Sequence, residues 1–180
     1  RAAKTLMDHD FLFVESAQRL ASRLEDINRS FVAVLDLGCH GGELARCFAK
    51  NGNVQNIIQA DLSPSMAALA KINEHPTLAC DEEALPFAEA SFDLILSNLS
   101  LQWVNDLPGA LIQIRQALKP DGLLLATLFG SNTLQQLRTA LHQAETELES
   151  EFNTRLSPLP DVRALGKLML RAGFALPVVD

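Results

Sequence analysis

The 180-residue chain has little of what would place it outside ordinary globular proteins. It lacks a long hydrophobic run. The longest, Leu123 to Phe129 with Thr127 inside it, is about a third of the roughly 20 residues a spanning helix requires, so no membrane span is expected. It lacks a basic stripe. Lys and Arg total 15 against 22 Asp and Glu, and the net charge of −7 is spread along the sequence, which argues against nucleic acid as a partner. Its three cysteines, Cys39, Cys47 and Cys80, form no CxxC pair, and an odd number without a recognisable targeting segment at the Arg1 end fits a reducing compartment and a processed or trimmed chain. Asp8-His9-Asp10 is not an HxD element and no second histidine follows at ligand spacing, so no metal site is expected. Repeats, linkers and low-complexity tracts are also missing. What is there, 48 % hydrophobic and 21 % charged residues, is the composition of a chain that buries its own core in about one domain.

Periodicity supplies the elements. Phe13, Ala17, Leu20, Leu24 and Ile27 keep a three/four spacing and predict an amphipathic helix over 11–27. Phe31 to Leu37, reading FVAVLDL, is a short apolar run rich in β-branched residues, and predicts a buried strand entering a turn of Gly38, Gly41 and Gly42. The pattern then predicts a helix from Glu43 to Lys50, a strand from Asn56 to Ala60, and a helix opened by a hydroxyl cap and a first-turn proline at Ser63-Pro64. Strands follow at Leu78-Ala79 and Phe92 to Ser97, then a helix from Asp106 to Leu118, a turn at Lys119-Pro120-Asp121-Gly122 and a strand from Leu123 to Phe129. A long helix capped at Ser131 or Asn132 carries Leu134, Leu137, Leu141, Ala144 and Leu148 on one face. A last helix runs from Asp161 to Ala172 with Gly173 at its end, and a sixth strand spans Phe174 to Val179. Alternating strands and helices predict an α/β fold: a doubly wound, mostly parallel sheet, strands one to five parallel, with a ligand crevice above strands one and four.

Three acids fall where the first three strands end: Asp36 in VLDLG, Asp61 in QADLS and Asp81 in CDEEALPF. Asp61 lies 23 residues after Gly38, a spacing that suits a carboxylate accepting both hydroxyls of an adenosine ribose, as NAD and S-adenosylmethionine each require. The first turn separates the two ligands. A GxGxxG starting at Gly38 needs glycine at positions 40 and 43, where His40 and Glu43 stand, so the pyrophosphate cradle is absent. S-adenosylmethionine carries no phosphate and needs only close backbone approach at that turn, with an acid, Asp81 or Glu82, near its adenine amine. Asn98 either satisfies backbone at a strand end or faces the ligand. Trp103 reads as a core or lid aromatic, and Cys39 and Cys80 as small buried residues without a basic partner nearby.

The segment from Val34 to Gly42, VLDLGCHGG, resembles the first motif of the class I S-adenosylmethionine-dependent methyltransferases, which reads like VLDLGCGTG. Farther on, DEEALPFAEASFDLILSNLSLQWVNDL, ALKPDGLLLATLFGSNTLQQLR and LGKLMLRAGF are similar to the methyltransferase-like arginine hydroxylases of mitochondrial complex I assembly and to the malonyl-carrier-protein methyltransferases of biotin synthesis. The resemblance implies a Rossmann-like methyltransferase fold and S-adenosylmethionine as cofactor. It places Asp36 and Gly38 at the methionyl part, Asp61 at the ribose, Asp81 at the adenine and Asn98 beside the methyl group, with Cys39, His40, Gly42, Leu62, Met66 and Glu82 completing the set. His40 departs from the family, which has glycine there. Either the ring intrudes and His40→Gly tightens cofactor binding, or it contacts the methionyl carboxylate or closes over it and the same change weakens binding; the expectation is the first.

On this reading residues 1–30 are a helical lid, 31–129 the cofactor-binding core, and 130–180 substrate-side helices with strand six, all within one domain. The seventh, antiparallel strand that closes the family's sheet is expected beyond Asp180. The implied function is methyl transfer to a small molecule or a carrier-bound acid, because Ser97-Asn98-Leu99-Ser100 stands where amide- and base-methylating enzymes have an NPPY-type clamp. The alternatives are an arginine hydroxylase acting on a respiratory complex subunit during complex I assembly, and a non-catalytic cofactor-binding assembly factor. The implied location is a bacterial cytoplasm or the mitochondrial matrix.

Overall fold

The computed structural model describes Ala3 and residues 5–48, 52–147 and 157–180. Five strands, β1 (Phe31–Leu37), β2 (Val54–Asp61), β3 (Thr77–Ala79), β4 (Phe92–Asn98) and β5 (Leu118–Thr127), form one all-parallel sheet in the order β3-β2-β1-β4-β5. The chain starts at the middle strand, winds outward to β3, then crosses back to place β4 against the other side of β1. Adjacent connections therefore leave in opposite directions at the carboxyl ends of β1 and β4, where a crevice opens in folds of this kind.

Both faces of the sheet are covered, which is why the strands read as continuous apolar runs. On one face Val34, Leu94 and Leu96 pack with Ala17, Leu20 and Leu24 of α1 (Phe11–Glu25) and Leu44 and Phe48 of α2 (Glu43–Phe48). On the other, Leu35, Leu37 and Ile95 pack with Ile114 and Ala117 of α4 (Leu107–Ala117). The two fully buried leucines of α1 contribute roughly 1.5–3 kcal/mol each to its docking. α3 (Pro64–Ala70) begins as its sequence dictates: Ser63 Oγ accepts from the Met66 amide at 3.4 Å and Pro64 occupies the first helical position. α6 (Val162–Arg171) is capped by Asp161, whose Oδ1 accepts from the Ala164 amide at 2.8 Å, and ends at Gly173 with φ +94°.

Four expectations need correction. The residues Lys119-Pro120-Asp121-Gly122 do not separate helix from strand. They are a bulge inside β5, which carries three more residues than β4 between the pairs Phe92–Leu118 and Leu94–Leu123, with Asp121 at φ +59°. No sixth strand forms over Phe174 to Val179. Pro177 has no amide to give a ladder, Leu176 and Val178 stay exposed, and the segment runs instead toward α1, where Asp180 Oδ2 meets Arg23 Nη2 at 2.7 Å. α5 (Gln135–Glu147) starts later than its caps suggested and leaves Leu134 and Leu137 exposed, while Glu145 is buried. Of the two readings of Trp103, core or lid, its 63 % exposure in a short 3-10 turn at Leu101–Trp103 removes the core one. The predicted helix positions Lys50 and Leu148 lie outside the described residues. Among the described residues no helix is long and apolar enough to cross a membrane.

Candidate functional site

Backbone geometry comes first. As β1 ends, the Gly38 and Cys39 amides both donate to the Ala60 carbonyl of β2 (2.8 and 2.9 Å), and the Gly42 amide closes the turn onto Cys39 O at 2.7 Å. Gly38 sits at φ +71°, and a Cβ there would stand 2.0 Å from Ser100 Oγ and 2.2 Å from Ser100 Cβ. Gly42, at φ +80°, is pressed in the same way by Asn73, whose Nδ2 donates to the Gly42 carbonyl at 3.2 Å. Only residues without a side chain fit these two places.

Around this turn the structure gathers carboxyls. Asp61 is buried at the end of β2, and its two oxygens hold two loops: Oδ2 accepts from the His40 amide at 2.9 Å and Oδ1 from the Ser63 amide at 2.8 Å. Asp36, at the end of β1, is 1 % exposed, and neither of its oxygens has a hydrogen-bond partner in the structure. Burial pushes its carboxyl up to about 8, and the nearby Glu43 and Asp61 add to the shift against some relief from the Gln59 amide. Glu43 is buried in the first turn of α2, accepting from the Gly41 amide at 3.2 Å and meeting Arg46 Nη2 at 3.3 Å. That arginine also donates to Gly41 O at 2.7 Å and lies 3.8 Å from Asp10, the residue preceding α1. Of the two acids after β3, Asp81 is exposed and caps its own turn by accepting from the Glu83 amide at 2.8 Å. Glu82 turns inward, accepts from Ser100 Oγ at 3.0 Å, and is held above the usual carboxylate range by burial.

His40 bridges the crevice. At φ +48° its ring reaches from the β1 turn to β4, with Nε2 3.0 Å from the Asn98 carbonyl, Nδ1 4.0 Å from Asp61 Oδ2, and the Phe13 ring of α1 at a centroid distance of 4.5 Å. Asn98 serves the frame: its Nδ2 donates to Phe13 O at 2.9 Å and its Oδ1 accepts from Thr127 Oγ1 at 3.0 Å. Cys39 is buried among the same acids, with its thiol pushed far up by burial first and then by Asp36 and Asp61. Leu62 is exposed and Met66 half-buried, one at the end of β2 and one in the first turn of α3. The sequence analysis did not single out Gln59, Asn73, Ser100 or Phe13 for the site. Gln59 carries the one legible signal, an amide between apolar neighbours in a buried strand. A cavity of about 390 Å³ opens elsewhere, along β5 between α1 and α6, lined by residues such as Leu124, Leu125, Leu165 and Met169. Its lining is mainly apolar, with Arg19, Arg23, Asp161 and Asp180 also in it, and it runs along β5 at the edge of the sheet.

Comparison with known proteins gives the same direction. Residues 35–126 match the family model described as a methyltransferase domain. The chain is 45 % identical over 173 residues to the mitochondrial arginine-hydroxylase NDUFAF5 of Homo sapiens, covering 95 % of this chain and 50 % of that protein. It is 34 % identical over 191 residues to the malonyl-[acyl-carrier protein] O-methyltransferase of a Methylovorus species, covering 100 % of this chain and 62 % of that one. The chain thus spans about half to three-fifths of the length of these relatives. Among solved structures, a Thermotoga maritima S-adenosylmethionine-dependent methyltransferase superposes with a TM-score of 0.70 at 21 % identity, covering 97 % of this chain and 80 % of that one.

Proposed function

The chain belongs to the methyltransferase-domain family, and from that premise we propose that it binds S-adenosylmethionine in the crevice between β1 and β4 and transfers its methyl group to a small-molecule or carrier-bound acid. The observation that carries this reading is Asp36, a buried carboxyl without a hydrogen-bond partner beside a turn that admits no Cβ at Gly38. Asp36, Glu43, Asp61 and Glu82 make the crevice acidic, and Arg46 is already engaged with Glu43. A ligand with positive charge and no phosphate suits that set, whereas the pyrophosphate of a dinucleotide meets four carboxyls.

The cofactor supplies a methyl group on a cationic sulfur, an activated leaving group, so the protein's work is alignment and exclusion of water. Asp61, fixed from both sides by the His40 and Ser63 amides, presents its remaining lone pairs to a ribose diol. Gly38 and Gly42 let the backbone approach, Leu62 and Met66 flank the adenine side, and Glu82 with Asp81 lies toward its amine. Asn98 is committed to Phe13 and Thr127, which leaves no free amide at the end of β4 to clamp a planar amine and favours an acid acceptor.

A second reading, arginine hydroxylation on a respiratory complex subunit, is supported by the higher identity to the hydroxylase than to the carrier-protein enzyme. The corresponding locations are the mitochondrial matrix and a bacterial cytoplasm. Calorimetric titration with S-adenosylmethionine, its demethylated product and NADH tests the cofactor. Mass spectrometry of acceptors incubated with methyl-labelled cofactor then separates a methyl increment, an oxygen increment and neither. Binding of NADH in preference to S-adenosylmethionine overturns the proposal.

A further inference from the structure

His40 does more in this structure than fit into the turn. Its backbone amide is fixed on Asp61, its side chain crosses the mouth of the crevice to the end of β4, and its ring packs at a 46° tilt against Phe13 of the helix that covers that end of the sheet. A carbonyl only accepts, so the ring nitrogen facing Asn98 O, Nε2, carries the proton, and Nδ1 is the atom turned toward the Asp61 carboxylate. The side chain is 16 % exposed, so this imidazole is enclosed in the space between β1 and β4 that a ligand at the switch point has to enter. Phe13 is fastened twice at the same spot, by its ring to His40 and by its carbonyl to Asn98 Nδ2.

We propose that His40 is a ligand-displaced latch: its imidazole, bonded through Nε2 to the Asn98 carbonyl and packed at a tilt against Phe13, keeps α1 closed over the cofactor crevice and gives way when the adenosyl cofactor enters. The proposal rests on the cofactor reading above. It adds a residue that sets the apparent affinity. A closed latch lowers apparent affinity by the fraction of molecules in the open state.

The test uses S-adenosylmethionine and its demethylated, uncharged-sulfur product as probes on the parent, His40→Gly and His40→Gln. The expected calorimetric result is that His40→Gly binds both probes several-fold tighter than the parent, and that His40→Gln, whose amide can still donate to the Asn98 carbonyl, stays closer to the parent than His40→Gly does. Nitrogen NMR of the parent's His40 ring reports a protonated Nε2 that changes its signal on saturation with the demethylated product. Without any ligand, hydrogen exchange over 11–25 is faster in His40→Gly. Equal or weaker binding by His40→Gly, or a ring signal that saturating ligand does not move, overturns the latch. If neither probe binds any form while 11–25 still loosens in His40→Gly, the cofactor reading has failed and His40 is a structural tie, not a gate.

Discussion

Asp61→Ala tests the site at its most connected point. The Asp61 carboxylate accepts from two backbone amides on different loops, His40 at 2.9 Å and Ser63 at 2.8 Å, and the residue is 6 % exposed, so water reaches these amides poorly once the side chain is cut back. Hydrogen bonds to a charged group contribute roughly 1.5–3 kcal/mol each, and two orphaned amides at the lower figure give about 3 kcal/mol of destabilisation. In a domain of this size that corresponds to a fall in Tm of about 6–12 °C. Asp61→Asn should fall between parent and Ala, because its single carbonyl oxygen serves one amide while its NH2 faces the other donor. Urea denaturation followed by circular dichroism gives the stability change. Calorimetry well below the transition gives the binding change, expected to exceed tenfold for S-adenosylmethionine because both ribose hydrogen bonds are lost. An unchanged Tm refutes the claim that the carboxylate holds the two loops, and unchanged affinity refutes its place at the ribose.

Asp36 gives a pH test. Its carboxyl is raised from 3.8 to about 8, so the folded state holds a proton that the unfolded chain releases; this contribution is fully present below about pH 4 and is lost as pH rises toward 8. Asp36→Asn should therefore gain stability over the parent progressively from about pH 4 to about pH 8, by up to a few kcal/mol in urea midpoints converted with m; a constant difference across that range counts against it. Gly38→Ala should cost more than about 2 kcal/mol in the same assay, and Ser100→Ala should not rescue it, since Ser100 Cβ at 2.2 Å still meets the new methyl group. Asn98→Ala removes bonds to Phe13 O and Thr127 Oγ1 in a buried setting, and should cost roughly 1–3 kcal/mol and speed proteolysis within α1; cleavage no faster than in the parent would argue against Asn98 as the anchor of that helix.

Most of the sheet was legible because its strands are buried on both faces and their apolar runs are bounded by local chemistry that reads without tertiary context. Ser63 caps as expected, and Asp106 and Asp161, where helices were expected to start, prove to be their caps, with Asp106 Oδ1 accepting from the Gly109 amide at 3.0 Å. In β5 and α5 local signals misled. The leucines at 134 and 137 have helical spacing, but what buries a stripe is a partner surface, and none of the described chain covers it. Pro120-Asp121-Gly122 has turn chemistry and does turn, with Asp121 at positive φ, yet β4 captures the residues on both sides, so the turn becomes a bulge. At the site, the acids at strand ends were legible from spacing, whereas their burial was not. The choice between Asp81 and Glu82 as the inward residue is made by Ser100, 18 positions away, and no local pattern reports that.

The same burial explains why this site is a poor place to store stability and a good place to receive a cation. A carboxyl such as Asp36, kept from water without a hydrogen-bond partner, costs free energy in the charged state and carries a proton instead. Glu43 and Asp61 add like charge beside it, and the arginine within reach of Glu43 is shared with Gly41 O and Asp10. A core selected for stability alone would place apolar side chains at these positions, as it does at Val34, Leu35 and Leu37 on either side of Asp36. A positively charged ligand reverses the balance, because it lowers the cost of ionising every carboxyl it faces. His40, whose ring lies beside Asp61, is one of the two positions at which VLDLGCHGG departs from its family's first motif, and on the latch proposal it is the side chain a ligand displaces to reach these acids.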